Sequence, residues 1–188
     1  MESLFVFVFN SILLGVALAM DAFSVSLANG LNEPDMRKER MAVIAGTFAF
    51  FQWLMPMIGW VLVHTIVEYF SVIDQFIPWI ALGLLGYIGI NMIRERNEEQ
   101  SEVKNSQLFM QGIATSIDAL SVGLTIADYD FTMAMTASLI IMAVTFVICI
   151  GGLILGRKFG MKLAGKASVL GGCILIFIGL EIFIKSFL

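Results

Sequence analysis

Two aspartates stand where an aspartate is costly. Asp21 lies in "AMDAFSVSLANG" (19–30) and Asp118 in "SIDALSVGLTIA" (116–127), each inside an otherwise apolar run. Ser24 and Ser121 follow three residues later, so on a helix each hydroxyl shares a face with its carboxylate. Thr115 and Thr125 extend that face around Asp118. An ionised carboxylate in hydrocarbon is expensive, so such a residue faces a protein interior and serves a function there. Two carboxylates with several hydroxyls form a hard, oxygen-only donor set that suits Mg²⁺, Ca²⁺ or Mn²⁺. Their two charges neutralise a dication, which a sugar or an amino acid would not require.

The elements that position these residues follow from composition. Of 188 residues, 59% are hydrophobic and 14% charged, with a mean hydropathy of +0.93. Soluble domains carry about 45–50% apolar and about 25% charged residues. The chain therefore reads as an all-α integral membrane protein, and a soluble globular class is excluded. No basic stripe or nucleic-acid motif is present. A bilayer crossing needs about 20 apolar residues, which predicts six spans near 6–29, 41–64, 74–93, 108–127, 132–156 and 168–188. Pro78 and Trp79 suit an interfacial start to the third. No Lys or Arg precedes the first apolar run, so it is expected to stay as a span rather than be cleaved. Cys149 and Cys173 are not spaced as a metal clip or redox pair and read as packing residues, and His64 as an interfacial side chain.

The polar stretch "RERNEEQSEVKNSQ" (94–107) divides the chain into three spans (1–93) and three spans (108–188). An offset of 97 aligns Asp21, Ala22, Ser24, Val25 and Leu27 with Asp118, Ala119, Ser121, Val122 and Leu124. "YIGINMI" (87–93) resembles "FIGLEIF" (177–183), and the second and fifth spans match weakly around Gly59 and Gly152. An odd number of spans per repeat inverts the second copy. The expectation is thus two inverted three-helix repeats, the architecture of many secondary transporters, with the site near mid-membrane between them. Ten of the eleven Lys and Arg fall in the first, third and fifth loops. The positive-inside rule puts those loops, including the 94–107 linker, in the cytoplasm and both termini outside.

Further polar residues sit within the spans. Thr47 and Gln52 occupy the second, followed by Pro56, whose missing N–H frees a carbonyl that serves either a cation or a kink. Thr145 in the fifth span is placed toward the same interior. Asn91 and Glu181 hold equivalent repeat positions near span ends, in either an exit path or an interface. Met20 and Met55 read as apolar filling, since a thioether suits a hard cation poorly. Gly83, Gly86, Gly89, Gly171 and Gly172 read as sites of close helix contact.

With these residues in view, the chain resembles the bacterial manganese efflux pump family (MntP) over essentially its whole length. "MDAFSVSLANG" and "TSIDALSVG" are similar to that family's two signature segments. The resemblance implies an exporter in the bacterial cytoplasmic (inner) membrane that removes Mn²⁺ as a transported substrate, with no prosthetic group. It places functional weight on Asp21 and Asp118, and further on Ser24, Thr115, Ser116 and Ser121. Some relatives in the family carry an acidic residue in the second span where this chain has Gln52. The family is related in architecture to lysine-type exporters.

The preferred reading is a non-enzymatic Mn²⁺ exporter, with protons as the coupling ion, lipid as its surroundings and a homo-oligomer left open. The alternative is an exporter of another divalent cation or of a basic amino acid, although no group is evident to receive an amino acid's carboxylate. An intramembrane aspartyl protease also uses two aspartates, but neither "AMDA" nor "SIDA" fits a GxGD-type motif. A structural adaptor gives no reason for an aspartate in each half.

Overall fold

The computed structural model describes residues 4–65 and 105–163, with isolated helical positions at 79, 82–83, 86–87, 90, 93, 173–174, 176–177, 180 and 184. Five helices are formed among the described residues, with no strand: α1 (Leu4–Asn32), α2 (Lys38–Thr65), α3 (Asn105–Ser116), α4 (Ala119–Thr125) and α5 (Phe131–Leu163). Leu4–Asn32, Lys38–His64 and Phe131–Gly160 have apolar stretches of mean hydropathy 2.1, 1.6 and 2.7. At about 1.5 Å rise per residue, each exceeds the roughly 30 Å of a bilayer's hydrocarbon. All three are long and apolar enough to cross a membrane.

These three correspond to the first, second and fifth expected spans, each longer than its apolar run alone. The fourth differs from expectation. Instead of one helix over 108–127, the chain forms α3 and α4 with a turn at Ile117–Asp118 between them. The expected third and sixth spans lie outside the described residues except at the isolated helical positions. Pro78, Gly89, Asn91, Gly171, Gly172, Glu181 and linker residues 94–104 also lie outside them.

Helix α1 packs along α5, while α2 packs on both α5 and α4. One apolar cluster joins Ala22, Val25 and Ala28 of α1 to Ile44 and Phe48 of α2 and to Cys149 and Leu153 of α5. A second joins Leu18 to Met57, Ala119, Val122, Ile126 and Ile141. Cys149 is buried, Cys173 is exposed, and both are free thiols. Between membrane helices, where lipid is as apolar as leucine, association depends on close approach at small residues. That approach is closest where α2 crosses α4: a Cβ on Gly59 would collide with the Leu120 carbonyl oxygen, and one on Gly123 with the backbone of Gly59 and Trp60. Gly83 and Gly86, expected to serve such contacts, have no neighbour within 4 Å among the described residues.

A direct contrast tests this crossing. Gly59→Ala forces the two backbones apart and is expected to destabilise the purified protein by about 1–3 kcal/mol. Gly46→Ala, in the same helix with nothing within 4 Å among the described residues, is expected to gain up to about 1 kcal/mol of helix propensity. Thermal unfolding in detergent reads both. Equal midpoints for the two variants would mean that the crossing does not depend on Gly59.

The two ends of the bundle differ in chemistry. At one end the Arg157 Nε donates to the Pro34 carbonyl (3.0 Å), and the Arg40 guanidinium donates to Asn105 Oδ1 (3.0 Å). The start of α2, the start of α3 and the end of α5 therefore meet, bringing basic residues of the first and fifth loops together. At the other end Trp60 Nε1 donates to the Tyr129 carbonyl (3.0 Å), and the Phe7 and Tyr129 rings pack 5.6 Å apart. His64 is exposed there and lies against the Trp60 ring at 4.1 Å. Aromatic side chains of this kind favour a membrane–water interface.

Candidate functional site

The break between α3 and α4 has a local cause. Thr115 Oγ1 donates back to the Gln111 carbonyl (2.9 Å), and Ser116 Oγ donates to the Gly112 carbonyl (2.7 Å). Consecutive hydroxyls that compete for the helix's own acceptors weaken and bend it. The ladder then lapses. Leu120 and Ser121 N–H bond to the carbonyls of Ile117 and Asp118, three residues back rather than four. Asp118 Oδ1 accepts the Ala119 N–H (2.9 Å) at the start of α4. The aspartate thus stands at a helix break, exposed in the protein alone. Non-helical backbone at membrane depth is tolerated only where protein or a polar cavity surrounds it.

Asp21 is half-buried within the unbroken α1. Its charge acts on Asp118, so the fold brings the two carboxylates within electrostatic reach. Between their helices lies Gln52 of α2, fully buried. Its Nε2 donates to the Leu18 carbonyl of α1 (2.9 Å) and to the Thr115 carbonyl of α3 (3.1 Å). Its Oε1 is buried without a hydrogen-bond partner among the described residues. Pro56 is buried within α2 and supplies no N–H to the Gln52 backbone carbonyl four residues before it. The amide oxygen and this carbonyl are uncharged acceptors next to the segments that carry the aspartates.

The other sequence-chosen residues divide. Ser24, half-buried, donates to the Met20 carbonyl (3.0 Å), which leaves its oxygen able to accept. Thr115 and Ser116 are buried at the break, and Ser121 is half-buried one turn beyond it. Thr47 donates to Val43 of its own helix (2.9 Å). Thr145 is buried and its Oγ1 has no partner among the described residues. Thr125 is exposed. Among the described residues no group of three or more His, Cys, Asp or Glu gathers to hold a metal. A cation at Asp21 and Asp118 would complete its shell with neutral oxygens.

Sequence reasoning passed over one buried polar pair. Asn29 Nδ2 donates to Gln111 Oε1 (2.8 Å), and Gln111 Nε2 donates back to Asn29 Oδ1 (3.1 Å). Both residues are fully buried. This closed amide pair ties α1 to α3, and each side chain satisfies the other. The available signal was the same one that picked out the aspartates, a polar side chain within an apolar run.

These helices and their buried polar contacts define a multi-pass membrane protein. The chain belongs to the manganese efflux pump family: the family described as "Putative manganese efflux pump" matches residues 35–183, which include Gln52 and Asp118. Curated relatives extend the similarity across Asp21. A protein of Methanosphaera stadtmanae named "Putative manganese efflux pump MntP" is 40% identical over 177 residues, covering 91% of this chain and 96% of the relative. A protein of the same name from Methanobrevibacter smithii is 39% identical over 176 residues (91% and 94%), and one from Clostridium botulinum 38% over 190 (93% and 92%). No solved structure matches.

Proposed function

We propose that this protein exports Mn²⁺ across the cytoplasmic membrane, with the metal bound between Asp21 and Asp118. The observation that carries the reading is the mutual placement of the two carboxylates, one on α1 and one at the α3–α4 break. Membership of the manganese efflux pump family supports Mn²⁺ as the substrate. The supporting oxygens are assigned to Ser24, Ser121, Thr115, Ser116, Thr47 and Gln52. A broken helix beside the site also supports the reading, since transporters form substrate sites at discontinuous helices, where backbone groups are released.

The same proposal includes six spans in two inverted repeats. The glycine contacts favour it. Gly152 of α5 approaches the Phe23 carbonyl and Ser26 Cβ of α1, as Gly59 of α2 approaches the Leu120 carbonyl and Gly123 Cα of α4. Residues 23 and 26 are related to 120 and 123 by the offset of 97 that relates Asp21 to Asp118. The second helix of each repeat thus lies against the first helix of the other. The meeting of basic first and fifth loops at one end, opposite an aromatic end, supports a cytoplasmic placement of those loops and outside termini.

Everted membrane vesicles test the function. Vesicles containing the protein are expected to accumulate Mn²⁺ from the medium, and Mn²⁺ to compete better than Ca²⁺ or lysine. Competition by lysine alone would favour the amino-acid alternative, and no Mn²⁺ accumulation would reject the proposal.

A further inference from the structure

The two acceptors of Gln52 are not an arbitrary pair. Leu18 and Thr115 differ by 97, the offset that relates Asp21 to Asp118, and each lies three residues before its aspartate. One side-chain nitrogen therefore bonds the same backbone position in both halves of the molecule, at 2.9 and 3.1 Å. The nitrogen thus lies at similar distances from two carbonyls at corresponding positions of the repeat. The weaker match of the second and fifth spans, Gly59 with Gly152, has an offset of 93, which pairs Gln52 with Thr145. Both residues are fully buried, and both keep an oxygen without a hydrogen-bond partner among the described residues. The hydroxyl of Thr145 carries one hydrogen, whereas the amide of Gln52 carries two donors and a longer reach. A single clamp from α2 thus serves both half-sites.

We infer that Gln52 is a positioning residue that sets the separation of Asp21 and Asp118 by bonding the backbone of both half-sites through one amide nitrogen. This rests on the proposed metal role of the aspartates. An amide is the side chain that suits the task. It supplies two N–H donors, holds no charge, and leaves the site's charge to the two aspartates. In this chain a carboxylate at position 52 would present oxygen to two carbonyl oxygens, with no donor for either, so the relatives with an acidic residue there must join the two segments through another contact. The clamp also bears on selectivity: a fixed oxygen cage discriminates among dications by size, and Ca²⁺ needs longer bonds than Mg²⁺ and tolerates a looser cage.

The test separates positioning from ligation. A residue that only donates an oxygen to the metal is improved, or at least not harmed, by Gln52→Glu, which adds a charged oxygen in the same place. A clamp is broken by that change. Equilibrium binding of Mn²⁺ alone and of Ca²⁺ alone is measured at pH 8 on the full-length purified protein, with Asp118→Asn as control. The expected result is at least tenfold weaker Mn²⁺ binding by both Gln52→Glu and Gln52→Met, with the Mn²⁺ over Ca²⁺ preference reduced at least tenfold in Gln52→Met. Mn²⁺ binding by Gln52→Glu equal to or tighter than that of the unaltered protein overturns the clamp, as does an equal loss for both metals in Gln52→Met. If only one variant is monodisperse, its own comparison decides. If neither folds, Gln52 is a general structural anchor and the inference is overturned. Unaltered Mn²⁺ binding by Asp118→Asn would instead reject the aspartate site on which the clamp depends.

Discussion

Asp118→Asn is expected to lower Mn²⁺ transport by at least two orders of magnitude, with the protein still folded in the membrane. The substitution is a clean one at this position. Asp118 Oδ1 accepts the Ala119 N–H at the start of α4, and the Asn side-chain oxygen can accept the same bond, so the helix break keeps its cap. What changes is charge. A dication held by one carboxylate rather than two carries an uncompensated charge in a low-dielectric setting, a defect of about 3–5 kcal/mol. At about 1.4 kcal/mol per tenfold, binding falls by roughly a hundredfold or more. Asp21→Asn is expected to do the same from α1, and the double variant to add little, because one missing carboxylate already disables the pair. Initial rates of Mn²⁺ uptake into everted vesicles, normalised to protein in the membrane, read the effect. Near-normal uptake by either single variant would remove the aspartates from the metal site.

How much of this was legible in the sequence varies by element. The first, second and fifth spans were readable because a bilayer imposes a length and a composition that few other structures meet. The aspartates stood out as candidates because a charge inside such a span has a small number of explanations. The break at Ile117–Asp118 was not foreseen, although its cause was in the text. Thr115 and Ser116 occupy the positions that Leu18 and Ala19 occupy in the first repeat. Hydroxyls bend one helix, while an aliphatic pair leaves α1 continuous through Asp21. Hydropathy counts both pairs as tolerable and so reports one uninterrupted run. Gln52 was chosen from the sequence as a candidate oxygen ligand. Its donor role could not be read there, because it depends on carbonyls 34 and 63 residues away along the chain. The Asn29–Gln111 pair was passed over for the same reason: an amide's partner is a property of packing. The glycines show the limit differently. Spacing alone favoured Gly83 and Gly86, whereas among the described residues close approach falls at glycines such as Gly59, Gly123 and Gly152, where another backbone arrives from a different helix.

Transport is expected to follow a pH gradient and to be indifferent to membrane potential. Moving a bare dication out of a cell that is negative inside costs about 2.3 kcal/mol per charge per 100 mV, or about 4.6 kcal/mol for Mn²⁺. Direct use of ATP has no support in the residues. The stretch Gly160–Lys166 has the glycine and lysine spacing of a phosphate-binding loop, but Ala167 stands where that loop needs a hydroxyl for Mg²⁺. It also starts within α5 rather than after a strand. The aspartates supply another route. On the proposed role they would hold the metal in their charged forms, so metal entry would release any protons they carry. After metal leaves, two bare carboxylates in a membrane interior are costly unless each takes a proton for the return. One Mn²⁺ out against two protons in moves no net charge, which removes the cost imposed by the potential. Two protons descending one pH unit supply about 2.7 kcal/mol, enough to hold a Mn²⁺ gradient of about a hundredfold. In proteoliposomes with the potential clamped at zero, Mn²⁺ is therefore expected to accumulate against its gradient when a pH gradient is imposed, with protons moving the opposite way. Asp118→Asn vesicles, treated alike, should show neither flux. Accumulation that tracks an imposed potential and ignores the pH gradient would reject the antiport.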